Sequence, residues 1–137
     1  MNDCIFCKIV SGEIPSVKIY EDEATLAFLD ISPLNPGHTL VIPKEHHENI
    51  FDVSDESLAP VMRTAKKVAN AIKNAVNADA INIGINNGKE AGQLVFHLHI
   101  HVIPRFAGDG YVSWTRPKDL PLPDSKELGE KIQNALI

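Results

Sequence analysis

Apolar residues recur at two spacings along this 137-residue chain, and the changes of spacing predict its elements. A repeat near 3.6 marks an amphipathic helix, and strict alternation marks a half-buried strand. Cys4 to Val10 reads as a short helix with Ile5, Phe6 and Ile9 on one side, ended by Gly12 and Pro15. Val17 to Tyr20 and Thr25 to Asp30 read as strands joined at Glu21-Asp22-Glu23. Ser32 to Gly37 is turn chemistry, and His38 to Ile42 reads as a third strand ended by Pro43. Leu58, Val61, Met62, Ala65, Val68, Ala69, Ile72 and Val76 form one apolar stripe, the main helix. Ser54 or Ser57 could cap it, and Pro60 favours Ser57, because proline is best tolerated in a first turn. Ile81, Ile83 and Ile85 alternate with polar or small residues, and Leu94 to Ile103 is the longest alternating run. A Pro-rich stretch (Pro117, Pro121, Pro123) leads to a terminal helix from about Ser125.

These elements predict an α+β fold: a five-stranded, mostly antiparallel sheet with one main helix on one face. The length suits a single domain, 1–137, with a core at about 4–105 and a variable tail at 106–137. Composition is that of a globular protein, 44% apolar and 23% charged. A net charge of -5 argues against a nucleic-acid-binding face, and no apolar run is long enough to span a bilayer. No nucleic-acid or membrane partner is expected. Both cysteines lie in Cys4-Ile5-Phe6-Cys7, too few for a disulfide framework. With no export signal, reduced thiols in the cytoplasm are expected.

The run His97-Leu98-His99-Ile100-His101 carries the chemistry. In an extended strand, Leu94, Phe96, Leu98, Ile100 and Val102 share an apolar core face, and His97, His99 and His101 share the other. Same-face neighbours lie about 6–7 Å apart. Packing does not explain three imidazoles in a row. Either His97 and His99 chelate a catalytic metal, or one ring attacks phosphorus while its neighbours orient it and move protons. The spacing does not choose between these. Asn86 to Gln93 is a Gly-rich connection that is either a plain turn or an anion site with amide donors from Asn86 and Gln93.

Gly92-Gln93 followed by His-x-His-x-His resembles the signature of the histidine triad (HIT) family. Ile5 to Ile9, Ile14-Pro15, Tyr20 to Asp22, Leu26 to Pro33 and Gly37 to Lys44 fall in that family's order, so the likeness spans about the first 105 residues. Within the family the chain resembles the Hint-like branch, or its bacterial dinucleoside polyphosphate hydrolase relatives. The resemblance implies that His99 attacks the α-phosphorus of a purine nucleoside phosphoramidate or dinucleoside polyphosphate, forming a nucleotidyl-histidine that water hydrolyses. It implies that His101 protonates the leaving group, His97 orients His99, and His38 supports the triad. Asn86 and Gln93 would hold the phosphate, and Asp30 the ribose hydroxyls. Ile5, Phe6, Ile9, Phe28 and Ile31 would enclose the base, although each is equally well read as ordinary core. One departure stands out: the family usually has Ser or Thr after Gly-Gln, and here the residue is Leu94.

Cys4-x-x-Cys7 has a spacing shared by zinc knuckles, redox pairs and buried free thiols. In zinc-bearing relatives the matching ligand set here is Cys4, Cys7, His46 and His97, with His47 an alternative to His46. That set leaves no open position, so the zinc would be structural and no cofactor would be needed for chemistry. The resemblance also implies a homodimer with a paired ten-stranded sheet, to which Trp114 and the tail either contribute or do not. The rival functions are a nucleotide-binding adaptor or sensor with little turnover, which Leu94 favours, and a zinc hydrolase using the triad directly, which the cysteines disfavour.

Overall fold

Short side chains and prolines set the ends of the elements. The computed structural model describes residues 3–137. Strand β1 (Lys18–Glu21) turns into β2 (Thr25–Leu29) because the Asp22 carboxylate accepts the Ala24 and Thr25 amides at 3.0 and 2.8 Å. The chain reaches β3 (Thr39–Pro43) through Gly37. Gly37 has φ +96, and a Cβ there would lie 3.4 Å from Ile72, Val76 and Pro104, so both conformation and packing call for glycine. The crossover helix α2 (Asp55–Ala75) leads to β4 (Ala80–Gly84), a 3-10 turn (Lys89–Ala91) and β5 (Ile100–Arg105). A short helix, α1 (Ile5–Ser11), precedes the sheet, and α3 (Ser125–Ala135) follows it with no buried residue.

The strands lie in the order β1-β2-β3-β5-β4, and every pair is antiparallel. The α+β class and the antiparallel sheet are as the pattern predicts. The helix cap is not. Ser54, rather than Ser57, caps α2, with its side chain accepting the Ser57 amide at 3.2 Å. Pro60 therefore lies inside the helix, where its missing N–H frees the carbonyl of exposed Glu56, which water can reach.

The sheet is covered on both faces. Ala27, Val41, Ile100 and Val102 pack on Val61, Ala65, Val68 and Ile72 of α2. On the other face Leu26, Phe28, Leu40 and Ile42 pack on Phe6 and Ile9 of α1. Ile100 is fully buried in the first cluster. Ile100→Ala is expected to cost about 2–5 kcal/mol, from lost transfer energy and the cavity left behind. Urea denaturation measures this, and a loss under about 1 kcal/mol would contradict the packing.

Candidate active site

The triad segment is not one continuous strand. Pairing with β3 stops at Val41↔Ile100, and pairing with β4 stops at Gly84↔His101. Continuing the β3 register would set Leu98 opposite Pro43, which has no N–H to give. The Leu98 amide donates instead to the His47 carbonyl at 2.7 Å. The predicted strand over Leu94 to Ile103 is thus cut to Ile100–Arg105, and its shared apolar face is corrected with it. Leu98, Ile100 and Val102 are buried, while Leu94 is 90% and Phe96 42% exposed. Nor do the first two histidines face open solvent: His97 is fully buried and His99 is 7% exposed. The edge of Phe6 meets the His99 ring, with centroids 5.1 Å apart.

The Pro43 carbonyl accepts a hydrogen bond from His97 Nε2–H at 2.8 Å. In the neutral ring this leaves the His97 Nδ1 lone pair open, facing the two cysteines. The His97 carbonyl in turn accepts from His99 Nδ1 at 2.7 Å, which leaves His99 Nε2 as the unprotonated nitrogen. On the far side, the Leu34 amide donates to His38 Nδ1 at 3.1 Å. His38 Nε2 therefore carries the proton and donates to His101 Nδ1 at 3.0 Å, and the neutral His101 ring keeps its proton on Nε2. Asp30 Oδ2 lies 3.5 Å from His38 Nε2, and Asp30 Oδ1 accepts the Ser32 amide at 2.8 Å. Asp30, His38 and His101 form a compact group of possible ligands. They do not suit a metal, because a metal on His38 Nε2 would force Nδ1–H against Leu34 N–H. Sequence reasoning missed the Pro43 carbonyl and the Leu34 amide, since backbone partners carry no residue signature. The Pro that ends a strand was the available hint.

Burial holds all four rings below the usual histidine value. His97 and His101 lie at about 4. His97 is lowered first by burial and then by His46 and His99, against the Pro43 bond. His101 is lowered by burial, His99 and His38, against Asp30. His38 and His99 are lowered by burial, with Asp30 opposing in both and the His97 carbonyl opposing in His99. Between pH 6.5 and about 4 the unfolded chain binds more protons than the folded one, so stability rises with pH across that window. This contribution is whole above pH 6.5 and is lost as pH falls through the folded values. The urea midpoint of metal-free protein is expected to fall steadily from pH 7 to 5. An unchanged midpoint would contradict neutral buried rings.

Cys4, Cys7, His46 and His97 bring their ligand atoms within 4.8 Å of one another. Cys4 Sγ lies 3.4 Å from His97 Nδ1, and Cys7 Sγ lies 3.4 Å from His46 Nδ1 and 3.6 Å from His97 Nδ1. Two sulfurs and two ring nitrogens in one cluster suit a four-coordinate zinc. The Pro43 bond already turns the correct His97 nitrogen toward them. Burial, and then Cys4, push the Cys7 thiol up to about 11, so a metal would have to displace a proton there. His47 is outside the cluster; its buried Nε2 has no hydrogen-bond partner among the described residues and lies 3.8 Å from Glu45 Oε1.

Other expected residues are placed differently. Gln93 is buried, and its two amide hydrogens go to the Glu48 and Val95 carbonyls at 2.6 and 3.0 Å. Its oxygen accepts from Gly88 and Asn49 at 2.8 and 3.2 Å. A direct phosphate contact by Gln93 is therefore corrected: the side chain locks the loop and has no donor left. Asn86 is partly exposed, with Nδ2 3.5 Å from the Gly92 carbonyl. Phe6, Ile9 and Phe28 lie within the second core, whereas Ile5 is partly exposed and Ile31 is 97% exposed.

A family model described as HIT domain matches residues 11–108. Adenosine 5'-monophosphoramidase hnt1 of Schizosaccharomyces pombe is 44% identical over 136 residues, covering 97% of this chain and 98% of that protein. The crystal structure of a HIT family protein from Bacillus anthracis superposes with TM-score 0.89 at 41% identity, covering 99% of each chain. A Zn-bound histidine triad family protein from Mycobacterium smegmatis superposes with TM-score 0.77 at 41% identity, covering 98% of this chain and 99% of that one.

Proposed function

Because the chain belongs to the HIT family, we propose that it is a nucleotide hydrolase or transferase acting at the α-phosphate of purine nucleoside phosphoramidates or dinucleoside polyphosphates. One observation carries the reading: His99 Nδ1 is tied to the His97 carbonyl at 2.7 Å, which leaves Nε2 unprotonated as a nucleophile. His99 Nε2 attacks phosphorus, the leaving group departs with a proton, and water then hydrolyses the nucleotidyl-histidine. His101 supplies the proton. It is the ring whose N–H points away from His38, and the charge of a bound phosphate raises its affinity for protons. His38 and Asp30 stand behind His101.

In this reading Asp30, next to exposed Ile31, accepts hydrogen bonds from the ribose hydroxyls. Phe6 and Phe28 meet edge to face, with centroids 5.5 Å apart, and Phe6 continues to His99. Ile5, Ile9 and Ile31 complete the apolar surroundings of the base. Asn86 and backbone N–H groups near His99 hold the phosphate. Zinc on Cys4, Cys7, His46 and His97 holds structure and takes no part in bond making. The outer strand β4 presents an edge with no strand partner among the described residues and with Ile83 exposed, which supports a homodimer joined there into ten strands. The two free thiols support a cytoplasmic setting.

Adenosine phosphoramidate and diadenosine tetraphosphate, each offered to the protein, test this. Hydrolysis of either, with a labelled nucleotide trapped on His99 by acid quench, is the expected result. Leu94, at the position where the family usually has Ser or Thr, favours a second reading as a nucleotide-binding sensor. Tight binding of both compounds without turnover would establish that reading and remove the first.

A further inference from the structure

Cys4 is the N-cap of α1 and its sulfur accepts the Cys7 amide at 3.3 Å, so Cys7 sits one helical turn further along. Two cysteines at these positions bring their sulfurs to the same end of the helix. Here both residues are half-buried and their sulfurs lie within 4.8 Å of each other. His46 and His97 face them from β3's outgoing loop and the triad segment. This is both a zinc ligand set and a dithiol with the reach to close on itself.

We propose that Cys4 and Cys7 form a reversible redox switch, in which a peroxide oxidises the pair to a disulfide and expels the zinc ion; the idea rests on the zinc reading above. Zinc-bound sulfurs are thiolates and hence nucleophilic. One thiolate attacks the peroxide oxygen, the O–O bond breaks, and a sulfenic acid and water form. The second thiolate displaces hydroxide from that sulfur. Two thiolates, one hydrogen peroxide and two protons give one disulfide and two waters, and peroxide takes the two electrons lost by sulfur. Two imidazoles remain, too few for a closed four-coordinate site, so the ion leaves. His97 then loses its metal on Nδ1. Its backbone carbonyl is the group that holds His99, so the loss reaches the nucleophile.

The test uses full-length, zinc-loaded protein. Hydrogen peroxide is added stepwise, with zinc release read by a chromogenic chelator, thiols by titration and intact mass under non-reducing conditions. One zinc is expected to leave for every two thiols lost, with a mass change of two hydrogens and no intermolecular product. Dithiothreitol with added zinc should restore the metal. Cys4→Ser, which has one of the two sulfurs, should show no such mass change. Zinc retained while thiols oxidise, or oxidation ending in sulfinic acid or cross-linked dimers, overturns the switch alone. Protein that carries no zinc when prepared with it overturns the zinc reading and the switch together.

Discussion

His99→Ala is expected to lower kcat by about 10⁴-fold or more, with nucleotide binding changed by less than about threefold. The asymmetry follows from the geometry. The base surroundings and Asp30 lie on α1, β2 and the loop after it, and Phe6, which meets the His99 ring, is also held by Phe28 and the second core. Only the lone pair on His99 Nε2 is removed, and alanine offers no substitute. Steady-state hydrolysis of adenosine phosphoramidate gives the rate, and calorimetric titration with AMP gives the affinity. A variant that keeps more than about one hundredth of the wild-type rate would contradict covalent catalysis. His101→Ala should lose less, about 10²–10⁴-fold, because its role is proton transfer. The loss should shrink for substrates whose leaving group needs no proton.

Removing zinc should have the largest effect on stability. An ion at about a thousand times its dissociation constant stabilises the folded state by about 4 kcal/mol. For a chain of this length that is about 10–15 °C in Tm. The ligands come from α1, the loop after β3 and the triad segment, so the ion ties together three parts of the chain that are distant in sequence. Thermal melts with and without a strong chelator measure the difference, and Cys7→Ser should reproduce the chelator result and make the melt insensitive to it. The effect should weaken as pH falls, because burial leaves the Cys7 thiol hard to deprotonate and protons compete with the metal. Equal melting temperatures with and without chelator would remove zinc from the account.

Most elements were legible from periodicity. The stripe from Leu58 to Val76 became α2, and the alternation of Ile81 and Ile83 became β4. Local chemistry also marked the ends at Gly12, Pro43 and Ser125. Periodicity failed at Leu94 to His99, where an alternating apolar run is not paired. A strand needs neighbours to hydrogen-bond: β4 has ended at Gly84, and the last residue of β3 is Pro43, which has no N–H to give. Gln93 misled for a related reason. An amide beside histidines looks like an anion donor, but its four hydrogen bonds go to backbone and Asn49 in its own neighbourhood.

The order of residues alone therefore determined which side chains exist to do chemistry: three alternating imidazoles, two thiols one helical turn apart, and the apolar stripes that build the layers around them. The tertiary structure decided what state those side chains are in. His97 meets the Pro43 carbonyl across 54 positions of chain, and His38 meets His101 across 63. A ring has two nitrogens and one proton to place, and its nearest acceptor decides where that proton goes. For His97 and the His38–His101 pair, that acceptor lies on another strand or loop, so only the folded chain determines which nitrogen is free.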